Sequence, residues 1–270
     1  MSIETNKLVM HRFTEFINTA SEKLATELIS PSTANWRVSE MSETRYRTLT
    51  VALAVLFSVA PCRAQTTSMA FPLDSVKGLK PVNSKIESVT YKGRKAIRVT
   101  DTAPQSTSDD GRFVVVTGSH FEDGVIEVDV AGDRIAGATE VARGFVGIAF
   151  RVAQDGPPFE VFYLRPYNGR SDNQLQRNHS AQYISSPEYP WNRLRQEFPG
   201  KYETYVDLVP GEWTKMKIEV RADRARLYVN DAREPILIVS QLLHGNTKGA
   251  VALFISAGSV AHFSNLRVSK

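Results

Sequence analysis

The 270-residue sequence has one cysteine, Cys62, five histidines and a single sustained apolar run, the ten residues 51–60. Ten residues of helix fall well short of a hydrocarbon core about 30 Å thick, which excludes an ordinary membrane anchor. One cysteine excludes a disulfide framework and a thiolate metal site. His120, His179, His244 and His262 lack the spacing of metal ligands. Charge of one sign is scarce as well: 33 Lys and Arg against 29 Asp and Glu leave a net of +4, too mild to argue for nucleic acid on electrostatics. What is present, 42% apolar and 23% charged residues with 16 Gly and 13 Pro, is the balance of a packed protein and excludes disorder and collagen.

The apolar run has the surroundings of a secretory signal. Arg45 and Arg47 precede it, Pro61 breaks it, and Cys62-Arg63-Ala64 ends it, with cleavage expected after Ala64. Residues 41–64 are therefore expected to be a signal peptide, and the protein to be exported to the periplasm or beyond the cell. Residues 1–40 then form an extraneous helical segment; their stretch NKLVMHRFTEFINTA resembles the opening helix of SnoaL-like polyketide cyclases. The folded domain is expected over 65–270, with 26 basic and 23 acidic residues, no cysteine and a net charge of +3.

From Lys85 onward the apolar period is two. Strands are predicted over 85–91 and 95–100, joined by Lys92-Gly93-Arg94 as a hairpin turn, then over 112–117, 124–130, 145–152, 159–165, 202–208, 214–221, 225–230, 236–239, 251–256 and 261–268. Met216, Ile218 and Val220 alternate with Lys215, Lys217 and Glu219, and Ile126, Val128 and Val130 with Glu127 and Asp129. One wet face per strand is the mark of antiparallel sheets. The fold class predicted is all-β, a two-sheet antiparallel sandwich whose concave outer face would offer a ligand site.

Three stretches, FEDGVIEVDV (121–130), GFVGIAFRV with FEVFYLRPYNGR (144–170) and GEWTKMKIEVRADRARLYVND (211–231), closed by GAVALFISAGSVAHFSNLRV (249–268), resemble the concanavalin A-like lectin/glucanase jelly-roll superfamily. The likeness is to its bacterial LamG-like and 3-keto-disaccharide hydrolase-type domains. That resemblance implies one of three roles: a carbohydrate-binding module, a glycan-degrading hydrolase or lyase, or a structural, protein-binding domain. The E-x-D-x-x-E of the glucanase branch is half present, with Glu127 and Asp129 but Gly132 in the last place.

Residues 166–201 carry only one short strand-like stretch, 182–185, in a region rich in Tyr, Trp, Arg, Asn and Gln. Long irregular loops in compact domains are commonly functional. Flat rings suit the C–H face of a pyranose, while guanidinium and amide groups suit its hydroxyls. The alternative is that this loop folds over one sheet, its arginines pairing with Asp172, Glu188 and Glu197. On strand 159–165, Phe159, Val161, Tyr163 and Arg165 share one face, next to a small-residue face of Gly147, Ala149 and Arg151, while Phe162 and Leu164 point to the core.

The expected ligand-binding residues are Tyr163, Arg165, Asn168, Arg170, Asn178, His179, Gln182, Tyr183 and Trp191. Glycosidic hydrolysis needs two carboxyl groups about 5 to 9.5 Å apart; the candidates are Glu160, Asp172, Glu197, Glu188 and Asp207, with His179 as a possible base. No cofactor or metal centre is expected, Ca²⁺ at Asp109, Asp110 or Asp123 being the one ion left open. The expected partner is a glycan or polysaccharide, an acidic one suiting Arg165, Arg170 and Arg177, bound by a monomer that neither enters a membrane nor takes nucleic acid.

Overall fold

Two-residue periodicity becomes fifteen strands in the residues that the computed structural model describes, 67–102, 111–154 and 156–270. The signal-like segment, the forty residues before it, Asp109 and Asp110 lie outside them. The strands are β1 (Ser68–Phe71), β2 (Leu79–Val82), β3 (Ser84–Tyr91), β4 (Arg94–Asp101), β5 (Phe113–Phe121), β6 (Gly124–Arg134), β7 (Val146–Val152) and β8 (Phe159–Leu164). After them come β9 (Ala181–Ser186), β10 (Glu203–Thr204), β11 (Thr214–Arg221), β12 (Arg224–Val229), β13 (Leu237–Val239), β14 (Gly249–Ile255) and β15 (Ser259–Ser269).

All pairs are antiparallel. One sheet runs β13-β12-β11-β6-β15-β4-β3, with β1 also on β15; the other runs β10-β9-β8-β7-β14-β5-β2. This is the predicted all-β sandwich. The β3–β4 hairpin turns on Lys92 and Gly93, both at positive φ (44° and 76°), as a two-residue loop matching strand twist requires.

The first sheet has one wet face. Met216 and Ile218 of β11 lie opposite Val128 and Ile126 of β6, all buried, while the lysines between them face out. The second sheet differs: β7, β8 and β9 are buried at every residue, so neither side is bare. Gly132 of β6 identifies its inner side, because a Cβ there would lie 2.7 Å from Val146 Cγ1. Val146 pairs with Leu164, and Ile148 with Phe162, so these residues meet the first sheet, whereas Tyr163 and its cross-strand partner Gly147 lie on the outer side.

On the first sheet's outer side, His262 of β15 stacks on Tyr91 with ring centroids 3.6 Å apart. Burial, helped by the nearby Arg98 and opposed by Asp133 and Glu87, pushes its pKa down to about 4. In the unfolded chain the ring protonates near 6.5, so between pH 6.5 and about 4 the unfolded state binds a proton that the folded state refuses. Stability therefore falls as pH drops through that window, by roughly 2–4 kcal/mol in all from this group. Urea titrations of the wild type and His262→Phe at pH 7.5 and 4.5 should show the variant losing less by about that amount; equal losses would refute the assignment.

Candidate functional site

Strand register alone assembles a polar row on the outer side of the second sheet. Tyr163 of β8 lies between Gly147 of β7 and Gln182 of β9, and Gln182 lies opposite Glu203 of β10. Pro166 follows β8 and starts a single helical turn, α1 (Pro166–Gly169), because its fixed φ suits the first helical position. A second turn, α2 (Gln174–Arg177), is capped by Asn173, whose side chain accepts from the N–H groups of Leu175 and Gln176 at 3.0 and 3.2 Å. Together these turns return the chain to His179, at the entrance to β9.

His179 Nδ1 lies 2.8 Å from Glu203 Oε2, and Arg195, from helix α3 (Trp191–Glu197), reaches the same oxygen at 2.8 Å. The backbone of His179 is fixed too, since its carbonyl accepts from Arg165 Nη1 (2.9 Å) and Asn168 Nδ2 (3.1 Å). Arg165, itself buried, also donates to Gln182 Oε1 (3.1 Å) and Tyr163 Oη (2.9 Å). Asn168 is buried, and its side-chain oxygen has no hydrogen-bond partner among the described residues. An acceptor left in that state is costly unless another molecule satisfies it.

Burial is the largest influence on the His179 imidazole and lowers its pKa; Glu203 opposes this, and the Arg195 and Arg165 charges add to it. The ring is accordingly neutral at pH 7. Nδ1 meets the Glu203 carboxylate as a close contact and not as a well-aligned hydrogen bond among the described residues; a neutral imidazole so placed can accept a proton.

Of the residues expected from the sequence, Tyr163, Arg165, Asn168, His179 and Gln182 come together here. Trp191 stands beside them, about a third exposed, with the Arg195 guanidinium 4.8 Å from its ring centre. Tyr183 does not join them. It follows Gln182 in a strand and so points inward, where its hydroxyl bonds Glu160 and accepts from the Leu243 N–H at 2.9 Å. Glu160 is on that inner side too, its pKa raised by burial, and it accepts from the His244 N–H at 2.8 Å. Arg170 is tied to Asp207 in solvent by two bonds, 2.8 and 3.0 Å. Asn178 accepts from Gln174 at 2.8 Å on an exposed surface, Glu197 pairs with Arg193 at 2.7 Å, and Asp172 is exposed.

Glu160 and Glu203 thus lie on opposite sides of one sheet, and no pair of candidate carboxyls faces across this site among the described residues. Nor, among the described residues, do three His, Cys, Asp or Glu side chains gather there to hold a metal ion. Asp123 accepts from Arg151 (3.1 Å) and from the Ala222 N–H (2.9 Å). Glu203 and Arg195 were not among the expected site residues; the alternation Glu203, Tyr205, Asp207 against Arg195, Arg177 and Arg170 is the signal that could have found them.

Residues 75–269 match the model of the 3-keto-alpha-glucoside-1,2-lyase-like domain. Among solved structures, the chain is similar to carbohydrate-binding module CBM66 from Bacillus subtilis (14% identity, TM-score 0.48, 71% of this chain and 95% of that one). It is also similar to a Bacillus subtilis protein of unknown function with a galectin-like fold (13%, 0.47, 76% and 97%) and to a Bacillus licheniformis beta-glucanase (15%, 0.44, 76% and 99%). No curated protein matches the sequence.

Proposed function

The chain belongs to the 3-keto-alpha-glucoside-1,2-lyase-like domain family, and from that premise we propose that it cleaves a glucoside already oxidised at C3, with His179 as the base. A ketone at C3 makes the C2–H acidic. His179 Nε2 takes that proton, and the electron pair forms an enolate toward the C3 oxygen. Its collapse makes the C1=C2 double bond and breaks the bond from C1 to the leaving oxygen. The imidazolium then returns its proton to that oxygen. No oxidant, reductant or second carboxyl is needed.

The observation that carries this reading is the His179–Glu203 contact in the same row as Tyr163 and Gln182, on a neutral imidazole. A pure recognition role has one observation in its favour, the exposed Trp191 ring beside the row with Arg195 over it. We also infer export, on the Arg45, Arg47 and Ala64 pattern around the apolar run.

The test is proton NMR of a 3-keto methyl α-glucoside in D₂O with the protein. The lyase reading expects loss of the C2 proton signal and release of methanol at matching rates. An intact glycoside that binds saturably would leave the recognition role and remove the lyase.

A further inference from the structure

Arg165 is buried, yet among the described residues every group it touches is neutral: a carbonyl, an amide oxygen, a hydroxyl, and the rings of Tyr163 and Phe145 at 4.9 and 5.6 Å. A buried charge without a counter-charge is costly, and folded proteins ordinarily pair it. Arg134 is half-buried and also lacks a charged partner for its guanidinium among the described residues. Its guanidinium donates to the carbonyls of Ala142 (2.7 Å) and Glu140 (3.1 Å) and lies over the Tyr167 ring at 3.7 Å, with no ion pair among the described residues. Close enough to feel both charges is Arg143, half-buried, whose guanidinium has no hydrogen bond or ion pair among the described residues, while its carbonyl accepts from the Tyr167 N–H at 3.2 Å.

Of the three acids nearby, two are already engaged, and the third, Glu140, is exposed and attracts Arg143 without forming an ion pair among the described residues. Glu203 is held by Arg195 and His179, and Asp133 accepts from the Tyr167 hydroxyl and the Arg134 N–H, both at 2.8 Å. Burial, followed by repulsion from Arg134 and then Arg165, lowers the Arg143 pKa, with Glu140 opposing. Three like charges near one another, one of them bonded to the backbone of His179 and two with guanidiniums bonded only to neutral groups, are what a site built for an anion looks like before the anion arrives.

We propose that Arg143, Arg165 and Arg134 form an anion subsite of the sugar site, so that its glycoside carries an oxyanion, either a carboxylate or a sulfate or phosphate ester. Guanidinium groups meet such oxygens through paired, charge-assisted hydrogen bonds. This inference rests on the sugar-site reading, and Asn168 Oδ1 would take a hydroxyl of the same ring.

The test uses the full chain and glycosides not oxidised at C3, so binding is read without turnover: methyl α-glucoside, methyl α-glucuronide and methyl α-glucoside 6-sulfate. Calorimetry at low salt should give one of the charged probes roughly a 10- to 100-fold advantage over the neutral one, the range of a charge-assisted pair. Sodium chloride should erode that advantage, and which charged probe leads identifies the anion. In Arg143→Ala the advantage should shrink to about threefold or less while the neutral probe still binds. Equal affinity for all three probes in the wild type overturns the anion subsite and leaves the sugar site standing. An undiminished advantage in the variant overturns the assignment to Arg143. No binding of any probe overturns the anion subsite, while turnover of the C3-oxidised glucoside decides the lyase reading separately.

Discussion

Arg151→Met will lower the unfolding free energy by roughly 3–5 kcal/mol, a large part of the 5–15 kcal/mol that usually holds a domain folded. The Arg151 side chain is wholly buried at the end of β7, where its backbone adopts a positive φ of 55°. Nε donates to the carbonyl of Glu122 (3.0 Å), Nη1 to that of Gly245 (2.7 Å) and Nη2 to that of Ala222 (2.7 Å), with Asp123 and Asn246 each at 3.1 Å. One guanidinium thereby joins the β5–β6 turn, the β11–β12 turn and the loop leading into β14. Methionine fills much of the volume and satisfies none of those acceptors, each costly to strand. Lysine should do little better, because a single ammonium cannot span three turns. Chemical denaturation will read the effect; a loss under about 1 kcal/mol would mean that the turns are held by something else.

The second large effect is catalytic. His179→Ala should cut elimination from a 3-keto glucoside by about 10²- to 10⁴-fold, the usual contribution of a positioned base, while an unreactive glucoside still binds. In the wild type the rate should fall as pH drops through the lowered His179 pKa and be flat above 6.5, since only the neutral ring accepts the C2 proton. Glu203→Gln removes the group that opposes the lowering, so the acid limb should move to still lower pH. A merely structural role for Glu203 would change the rate and leave the limb where it was. An unmoved limb with full activity in the glutamine variant would sink the assignment of His179 and Glu203 as a working pair.

Much of this scaffold is legible in the residues. Alternation in 214–220 and 126–130 names the buried side of β11 and β6, and Lys92-Gly93 marks its turn. The site is only partly legible, because it depends on parity and pairing. Reading 166–201 as loop left Tyr183 beside Gln182, yet within β9 neighbouring residues must point apart, and Tyr183 belongs to the core. The strand expected over 202–208 shrinks to Glu203–Thr204, since Thr204 already faces Ala181, where β9 begins. Arg151 was placed on the small-residue face with Gly147 and Ala149; a register shift in the neighbouring β14 and its own positive φ turn it toward the three turns instead. Glu203 acquires meaning only through the β9–β10 pairing, which a linear reading does not supply.

The all-buried strands β7 to β9 also bear on how such a domain can diversify. Altering a side chain on either surface of those strands disturbs close packing, so drift there is strongly constrained. New specificities are more readily acquired through the helical turns and connections around them, where Asn168, Trp191 and Arg195 sit, than through the platform itself.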